Sequence, residues 1–342
     1  VQGVGFRPFV ARLAAARGLA GWVRNDASGV AIHVEGPSSE LDTFLVELET
    51  DAPHAAVVDA VDARPVAPEG HGGFAIRRSE AAGARSVPIG VDLASCADCL
   101  RELRDPGNRR FGYPYINCTN CGPRYSVILG LPYDRPNTTM RDWAMCPACR
   151  SEYEDPADRR YHAQPIACGR CGPHLTLEHG GRSIAGDAEV VARTAALLRA
   201  GAIVAVKGIG GYHLACDARS DAAVRALRER KYRKDKPFAV MVRDLDEAHA
   251  LARLDAGEQR LLTANARPIL LAAARAQWPL VAPEQSRLGI MLPYAPLHAL
   301  LFDAGAPRAL VMTSGNRSNE PIAYSDADAR ARLSDIADAI VV

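Results

Sequence analysis

Eight of the nine cysteines in this sequence fall into four Cys-x2-Cys pairs. The pairs build two strings of the form C-x2-C-x18-C-x2-C: Cys96, Cys99, Cys118 and Cys121, then Cys146, Cys149, Cys168 and Cys171. A Cys-x2-Cys turn presents two thiolates on one side of a tight loop, and two such turns complete a tetrahedron around Zn²⁺. Four thiolates leave no open coordination position, so the expected role is structural, with two Zn²⁺ ions in all. The competing reading is a disulfide framework. No signal-peptide pattern opens the chain, however, and eight cysteines in a cytoplasmic protein seldom oxidise. The duplication favours ligand sets within each string, while swapped pairing between them stays open. Cys216, the ninth, reads as a small buried residue.

A second chemistry is anion binding, and the chain shows two places for it. Gln2-Gly3-Val4-Gly5-Phe6-Arg7 leads directly into a helical pattern. Glycines let backbone N–H groups converge on an anion, the helix N-terminus adds its dipole, and Arg7 adds a charged fork. Taken alone this is a weak signal, and a solvated Arg7 is the ordinary alternative. The other place is marked by lysine. Only four of the 41 basic residues are lysine, and Lys207, Lys231, Lys234 and Lys236 all lie within thirty positions. Arg225, Arg228, Arg230, Lys231, Arg233, Lys234 and Lys236 form a cationic run that leads into the apolar Phe238–Val242. Cations at a strand mouth, with glycine-rich Lys207–Gly211 and the polar loop Thr313-Ser314-Gly315-Asn316, suggest a polyphosphate pocket. No GxxxxGK[ST] string occurs, so it is not a P-loop. A solvated basic face is the plainer reading of the same run.

These residues need elements to hold them. Residues 1–78 read as a small α+β unit: a helix over Pro8–Arg17, strands over Gly21–Asn25 and Gly29–Glu35, and hairpin chemistry in Asn25–Gly29. A second helix starts at a Ser38 cap and carries Leu41, Phe44, Leu45 and Leu48 inward; strands follow over Ala56–Asp62 and Phe74–Arg78. Residues 65–73 read as a loop and 79–90 as a linker. Residues 91–175 form a duplicated module at an offset of fifty, repeating Asp-Pro, Arg-Arg-aromatic and Cys-Gly-Pro with the cysteines. With few apolar runs, that module needs staples. Residues 187–342 alternate helices with strands at Ala202–Val206, Phe238–Val242, Pro268–Ala272 and Ala309–Thr313, as α/β domains do. Ser220 caps the helix that carries the cationic run. Val1 in place of methionine and a closing strand at Ala339–Val342 set the expectation of a fragment.

Composition excludes several classes. The 342 residues are 48% hydrophobic and 24% charged, which is globular rather than disordered. The longest uncharged stretch, between Arg287 and Asp303, holds two prolines and falls short of the ~20 apolar residues of a membrane span. A net charge of +1 provides no global field toward nucleic acid or anionic lipid. Within residues 91–175, 11 arginines face 10 acidic residues, so no basic stripe marks the cysteine module as a nucleic-acid binder.

Longer strings add a resemblance. Val1–Phe9, followed by Asn25 eighteen residues after Arg7, resembles the acylphosphatases over residues 1–78. That implies a ferredoxin-like fold in which the loop Gln2, Gly3, Val4, Gly5, Phe6 and Arg7 binds a phosphate and Asn25 orients the attacking water. The family's first strand would precede Val1. Lys231-Tyr-Arg233, Ser314-Gly-Asn316 and Pro293-Tyr294-Ala295-Pro296-Leu297-His298 are similar to the YrdC-like carbamoyl-adenylate-forming domains. This implies a twisted mixed-sheet α/β domain that binds ATP with Mg²⁺ and releases pyrophosphate. Lys231, Arg233 and Lys236, with Ser314 and Asn316, are the residues it points to. Lys207–Asp217 looks like the hydrogenase-maturation branch rather than the threonine-using one.

In this order, acylphosphatase-like unit, zinc-finger module and YrdC-like domain resemble the N-terminal portion of the HypF family of hydrogenase-maturation carbamoyltransferases. The family implies hydrolysis of carbamoyl phosphate to carbamate, enclosed passage to a second site, and adenylation there by ATP. It implies later transfer to the C-terminal cysteine of a HypE partner, a precursor of the cyanide ligands of nickel–iron hydrogenase. The transferring domain is expected to lie beyond this chain. A threonylcarbamoyl-adenylate synthase and a zinc-ribbon nucleic-acid binder remain as alternatives.

Overall fold

The structure is a computed structural model that describes residues 3–26, 29–53, 56–78 and 90–342. Val1, Gln2, the hairpin residues Ala27 and Ser28, and all but the last residue of linker 79–90 lie outside the described residues. Two compact units emerge, one of Val1–Leu93 with Asn117–Gly172, the other of Ala94–Ile116 with Pro173–Val342.

In the first unit, α1 (Phe6–Ala16) is followed by β1 (Ala20–Asn25), β2 (Val30–Glu35), α2 (Ser38–Thr50) and β3 (Phe74–Ile76). The strands order β2-β1-β3, with β1 antiparallel to β2 and parallel to β3. Helical spacing places Phe6, Val10 and Ala14 of α1 and Phe44 and Leu48 of α2 against Val23 of β1, and these close the core. The helix–strand alternation and mixed pairing are those of a ferredoxin-like α+β unit.

Three expectations need correction here. The first helix starts at Phe6, two residues before Pro8, because Gly5 takes the N-cap position with φ +76°. Ser38 is the first residue of α2 and not its cap; Pro37 occupies that position, with no side-chain cap bond. Residues 56–62 form no strand. Ala56 and Val58 do pack against the core while Val57 faces solvent, so the alternation is real. What fails is pairing, since no neighbouring strand takes up those backbone groups among the described residues.

The cysteine region contributes α3 (Ala97–Arg104) and α4 (Pro147–Glu154), each beginning one residue after a metal-type cysteine that serves as its N-cap. The duplication extends to hydrogen bonds: Asp105 accepts from Gly107 N as Asp155 accepts from Ala157 N, both at 2.9 Å. Arg110 and Arg160, equivalent positions, are both buried.

The second unit is built on one ten-stranded mixed sheet. Its elements are β4 (Thr176–His179), β5 (Arg182–Ala185), α5 (Asp187–Arg199), β6 (Val204–Lys207), β7 (Tyr212–Asp217), α6 (Asp221–Arg230), β8 (Ala239–Val242), α7 (Leu245–Leu251), β9 (Ala252–Arg253), α8 (Ala256–Thr263), β10 (Leu270–Ala274), β11 (Arg287–Met291), α9 (Pro296–Asp303), β12 (Ala309–Ser314), α10 (Asp326–Leu333) and β13 (Ala339–Val341). The strand order is β5-β4-β13-β6-β7-β12-β8-β11-β10-β9. Thus β4 and β5, which precede residue 187, form one edge of the sheet. Central strands β6, β7, β8 and β12 are apolar on both faces, and a core cluster lies on each side. Ser220 caps α6 as expected, accepting from Ala223 N. No helix among the described residues is long and apolar enough to cross a membrane.

Candidate functional site

The glycine loop and Arg7 do form a pocket. Gly3 and Gly5 adopt φ values of +74° and +76°, a region that disfavours side chains. A Cβ on Gly3 would also crowd Tyr133 at 3.1 Å, and one on Gly5 would crowd Thr119 at 3.2 Å. Both glycines are needed for conformation and for close approach. Arg7 follows in the first turn of α1, buried, and its guanidinium bonds Asp134 Oδ1 at 2.9 Å. Asn25 closes the other side from the end of β1; it is 1% exposed, and neither its Oδ1 nor its Nδ2 has a hydrogen-bond partner. A buried amide with both ends unmet is costly, so a ligand that answers both is the economical explanation.

The rest of the lining comes from the cysteine region of the same unit: Thr119, Arg124, Tyr133, His162 and Gln164 around a cavity of about 30 Å³. Arg124 is locked by three carbonyls, those of Gly3 (2.8 Å), Gly122 (2.6 Å) and Thr119 (2.6 Å). It braces the glycine loop from behind. His162 sits at φ +55°, and burial, reinforced by the Arg7 charge, pulls its imidazole down to about 4. It is neutral at ordinary pH. Sequence reasoning missed Arg124, Asp134, His162 and Gln164. For His162 a signal existed: the duplication pairs it with Gly112, which also has positive φ, so a non-glycine holds a position that glycine fills in the first copy.

The eight cysteines gather in two groups by string, Cys96, Cys99, Cys118 and Cys121, and Cys146, Cys149, Cys168 and Cys171, each with ligand atoms within 4.8 Å of one another. This settles the pairing as within each copy, and none of these cysteines is in a disulfide. Thiolates around Zn²⁺ at ~2.3 Å in a tetrahedron stand about 3.8 Å apart. The Sγ separations are 3.8 Å for Cys118–Cys121, Cys146–Cys168 and Cys168–Cys171, and 3.6 Å for Cys149–Cys171. The donor set therefore fits zinc. Burial opposes ionisation at Cys146, but bonds from the Cys149 backbone and neighbouring thiols outweigh it and bring the thiol to about 7. By contrast Cys216 is buried in β7, where burial pushes its thiol up to about 12, and it is inert.

In the second unit, Lys231, Ser314 and Asn316 come together. Lys231 caps the C-terminus of α6 and is 1% exposed. Its ammonium donates to Ser314 O (2.6 Å), Asn316 O (2.6 Å) and Asn316 Oδ1 (2.7 Å), while Ser314 Oγ donates to Asn316 Oδ1 at 2.6 Å. All three ammonium donors are thus engaged by the loop after β12. Burial, with the Arg233 charge second, brings the Lys231 ammonium down to about 8. Arg233 is half-buried and bonds the carbonyls of Lys236 (3.1 Å) and Pro237 (2.6 Å). Lys236 gives only its carbonyl to this cluster; its side chain is exposed. Arg228 is the hub, since it also binds the carbonyls of Arg233, Lys234 and Val281 and lies over Phe238. Lys207 is held by Asp326, which also accepts from Tyr212 OH. The cationic run is therefore no continuous exposed stripe: Arg228 and Lys231 are interior, and Arg230 pairs with Asp338.

A further cluster lies in this unit, where Tyr294 OH meets His213 Nε2 at 2.5 Å and its ring stacks edge-on with His298 at 4.5 Å. Burial pulls His213 down to about 4 and His298 to about 3, and His298 Nε2 has no partner. The Pro293–His298 string marked Tyr294 and His298, and the Lys207–Asp217 string His213, without giving them a role.

Comparison with known proteins matches three families along the chain. Residues 1–76 match the Acylphosphatase family, residues 96–128 and 145–178 the HypF finger, and residues 196–342 the Sua5, YciO and YrdC family, described as Telomere recombination. The chain is 49% identical to carbamoyltransferase HypF2 of Cupriavidus necator and 53% identical to carbamoyltransferase HypF of Rhodobacter capsulatus. Each alignment takes in 100% of this chain and 45% of the relative. A crystal structure of full-length HypF in a phosphate- and nucleotide-bound form superposes with a TM-score of 0.95 at 45% identity, again over 100% of this chain and 45% of that one. Fold and sites thus define a three-part assembly of acylphosphatase, zinc-finger and YrdC-type domains. Along its whole length the chain is homologous to the HypF carbamoyltransferases, and it spans less than half the length of the relatives it matches.

Proposed function

We propose that the chain carries the first two steps of a carbamoyl transfer. In the first pocket, carbamoyl phosphate places its phosphoryl oxygens against the loop from Gly3 to Phe6 and the Arg7 guanidinium. Asn25 orients a water for attack, and the products are phosphate and carbamate. The observation that carries this reading is the Asn25 amide, buried beside Arg7 with both polar ends unmet. A bound phosphate and a water supply an acceptor and a donor to such an amide. Neutral His162 adds no positive charge to those of Arg7 and Arg124 in the pocket lining.

Carbamate then moves to the second unit, where its oxygen attacks the α-phosphate of ATP, giving carbamoyl adenylate and pyrophosphate. Lys231 and Arg233 stabilise the charge that develops on the phosphates, and Ser314 and Asn316 hold the nucleotide side of the loop. Lys236, exposed at the end of the same turn, reaches the outer phosphates. Mg²⁺ accompanies the ATP. Two Zn²⁺ ions, held by the two cysteine groups, fix the lining of the first pocket and take no part in bond making. In the full-length enzyme the carbamoyl group passes to a HypE-type partner.

Phosphate release from carbamoyl phosphate tests the first step. Zinc-loaded protein is expected to release phosphate, and Asn25→Ala to slow it by about 10²-fold, the scale on which a positioned water contributes. Equal rates in the two proteins would remove Asn25 from the reaction.

A further inference from the structure

A third group of metal-type donors shares no residue with the cysteine groups or with the lining of the first pocket. His33, Glu35 and His71 each offer one ligand atom, and these atoms lie within 4.8 Å of one another. The backbone accounts for this convergence. His33 and Glu35 are two residues apart on β2 and share a face of the sheet. His71 arrives on the segment entering β3, whose start is fixed by Gly21 N bonding Gly73 O at 2.9 Å. The Glu35 carboxylate holds the same segment by accepting from Glu69 N at 2.7 Å and Gly70 N at 3.2 Å. His33 is buried, stacked on Trp22, and meets His71 edge-on with ring centres 5.6 Å apart. Glu69 bonds His71 Nε2 at 2.7 Å, the carboxylate–histidine pairing that orients imidazole ligands.

We propose that His33, Glu35 and His71, with Glu69 orienting His71, form a binding site for a third divalent ion of the Zn²⁺, Co²⁺ and Ni²⁺ class. Two imidazoles and a carboxylate suit those ions, and the donor set differs in kind from the all-thiolate groups. His71 and Glu35 are half-buried and Glu69 is more exposed, so an ion enters from solvent. The cation now beside the group is Arg77, whose guanidinium lies 3.5 Å from His71 Nε2 and 3.7 Å from Glu69. With Nε2 of His71 held by Glu69, Nδ1 is the nitrogen left for the ion, and Arg77 stays over the Trp22 ring at 4.6 Å. The bond between His33 Nε2 and Glu35 at 2.8 Å is the one the ion replaces. Binding would tie the irregular segment 56–73 to the sheet.

The test is a Co²⁺ titration of protein carrying two Zn²⁺ in its cysteine sites. The expected result is one further equivalent, with d–d absorption and no thiolate-to-cobalt charge transfer, and a rise in melting temperature. His71→Gln and His33→Gln should each weaken that equivalent at least tenfold while retaining two Zn²⁺ per chain. His71→Gln sits on a loop, so it reports on binding even if His33→Gln disturbs the core. No third equivalent in the unaltered protein, or one that survives His71→Gln, would show a hydrogen-bonded polar cluster only and overturn the proposal.

Discussion

Asn25 and Asp134 pull the first pocket in opposite directions. Asn25 is a buried amide with nothing to bond, which favours a ligand; Asp134 neutralises Arg7 and competes with any anion for it. Replacing Asp134 by Asn keeps the shape and removes the charge. Inorganic phosphate should then bind about tenfold more tightly, a gain of ~1.4 kcal/mol, as read by inhibition of phosphate release. Unchanged affinity would mean that Arg7 does not meet the anion. Arg7→Ala, conversely, should reduce hydrolysis by about 10²–10³-fold, the scale for losing one preorganised donor.

Lys231 gives a prediction in pH. Its value in the folded chain, about 8, lies below the ordinary lysine value of 10.5. Between these values the unfolded chain holds more protons, so this group's contribution to stability rises with pH. Its hold on an anion falls over the same window. Nucleotide affinity should therefore drop as pH passes about 8 while the unfolding free energy, relative to Lys231→Met, increases. Both quantities moving together would show that Lys231 does not face the nucleotide. At His162 the folded value, about 4, is likewise below the usual 6.5. Stability should fall as pH drops from 6.5 toward 4, and His162→Gln should flatten that limb of a denaturation series.

At the scale of elements, legibility followed range. Cysteine spacing, the Ser220 cap and the glycine loop are local features, and they appear in the structure where spacing placed them. The Lys231 cluster joins α6 to a loop more than eighty positions away; residue chemistry suggested that both serve one pocket, and the family resemblance singled out Lys231, Ser314 and Asn316. Asp134 lies 127 positions from Arg7 with no periodic signal to link them. Residues 56–62 show the opposite failure: their alternation is genuine, but a strand also needs a partner, which local sequence does not supply. The helices α3 and α4, eight residues each, are too short to persist alone, and the cysteine groups hold their first turns. A structural zinc site contributes on the order of 10–16 kcal/mol. Chelation should therefore abolish phosphate release by freeing Thr119, His162 and Gln164 from the pocket, and restored zinc should recover it. Hydrolysis that persists in metal-free protein would separate the pocket from the cysteines.

Taken as a whole, the molecule places a pocket lined by glycines and Arg7 in one unit and a lysine-anchored loop in the other. Each has its own chemistry, and neither alone defines a carbamoyl activation. The central claim is that the product of the first reaction is the substrate of the second. ATP–pyrophosphate exchange tests it most directly. Exchange is expected to depend on carbamoyl phosphate, to be lost in Arg7→Ala, and to return when carbamate is supplied to that variant. Exchange that needs threonine and bicarbonate instead, or that is indifferent to Arg7, would contradict it.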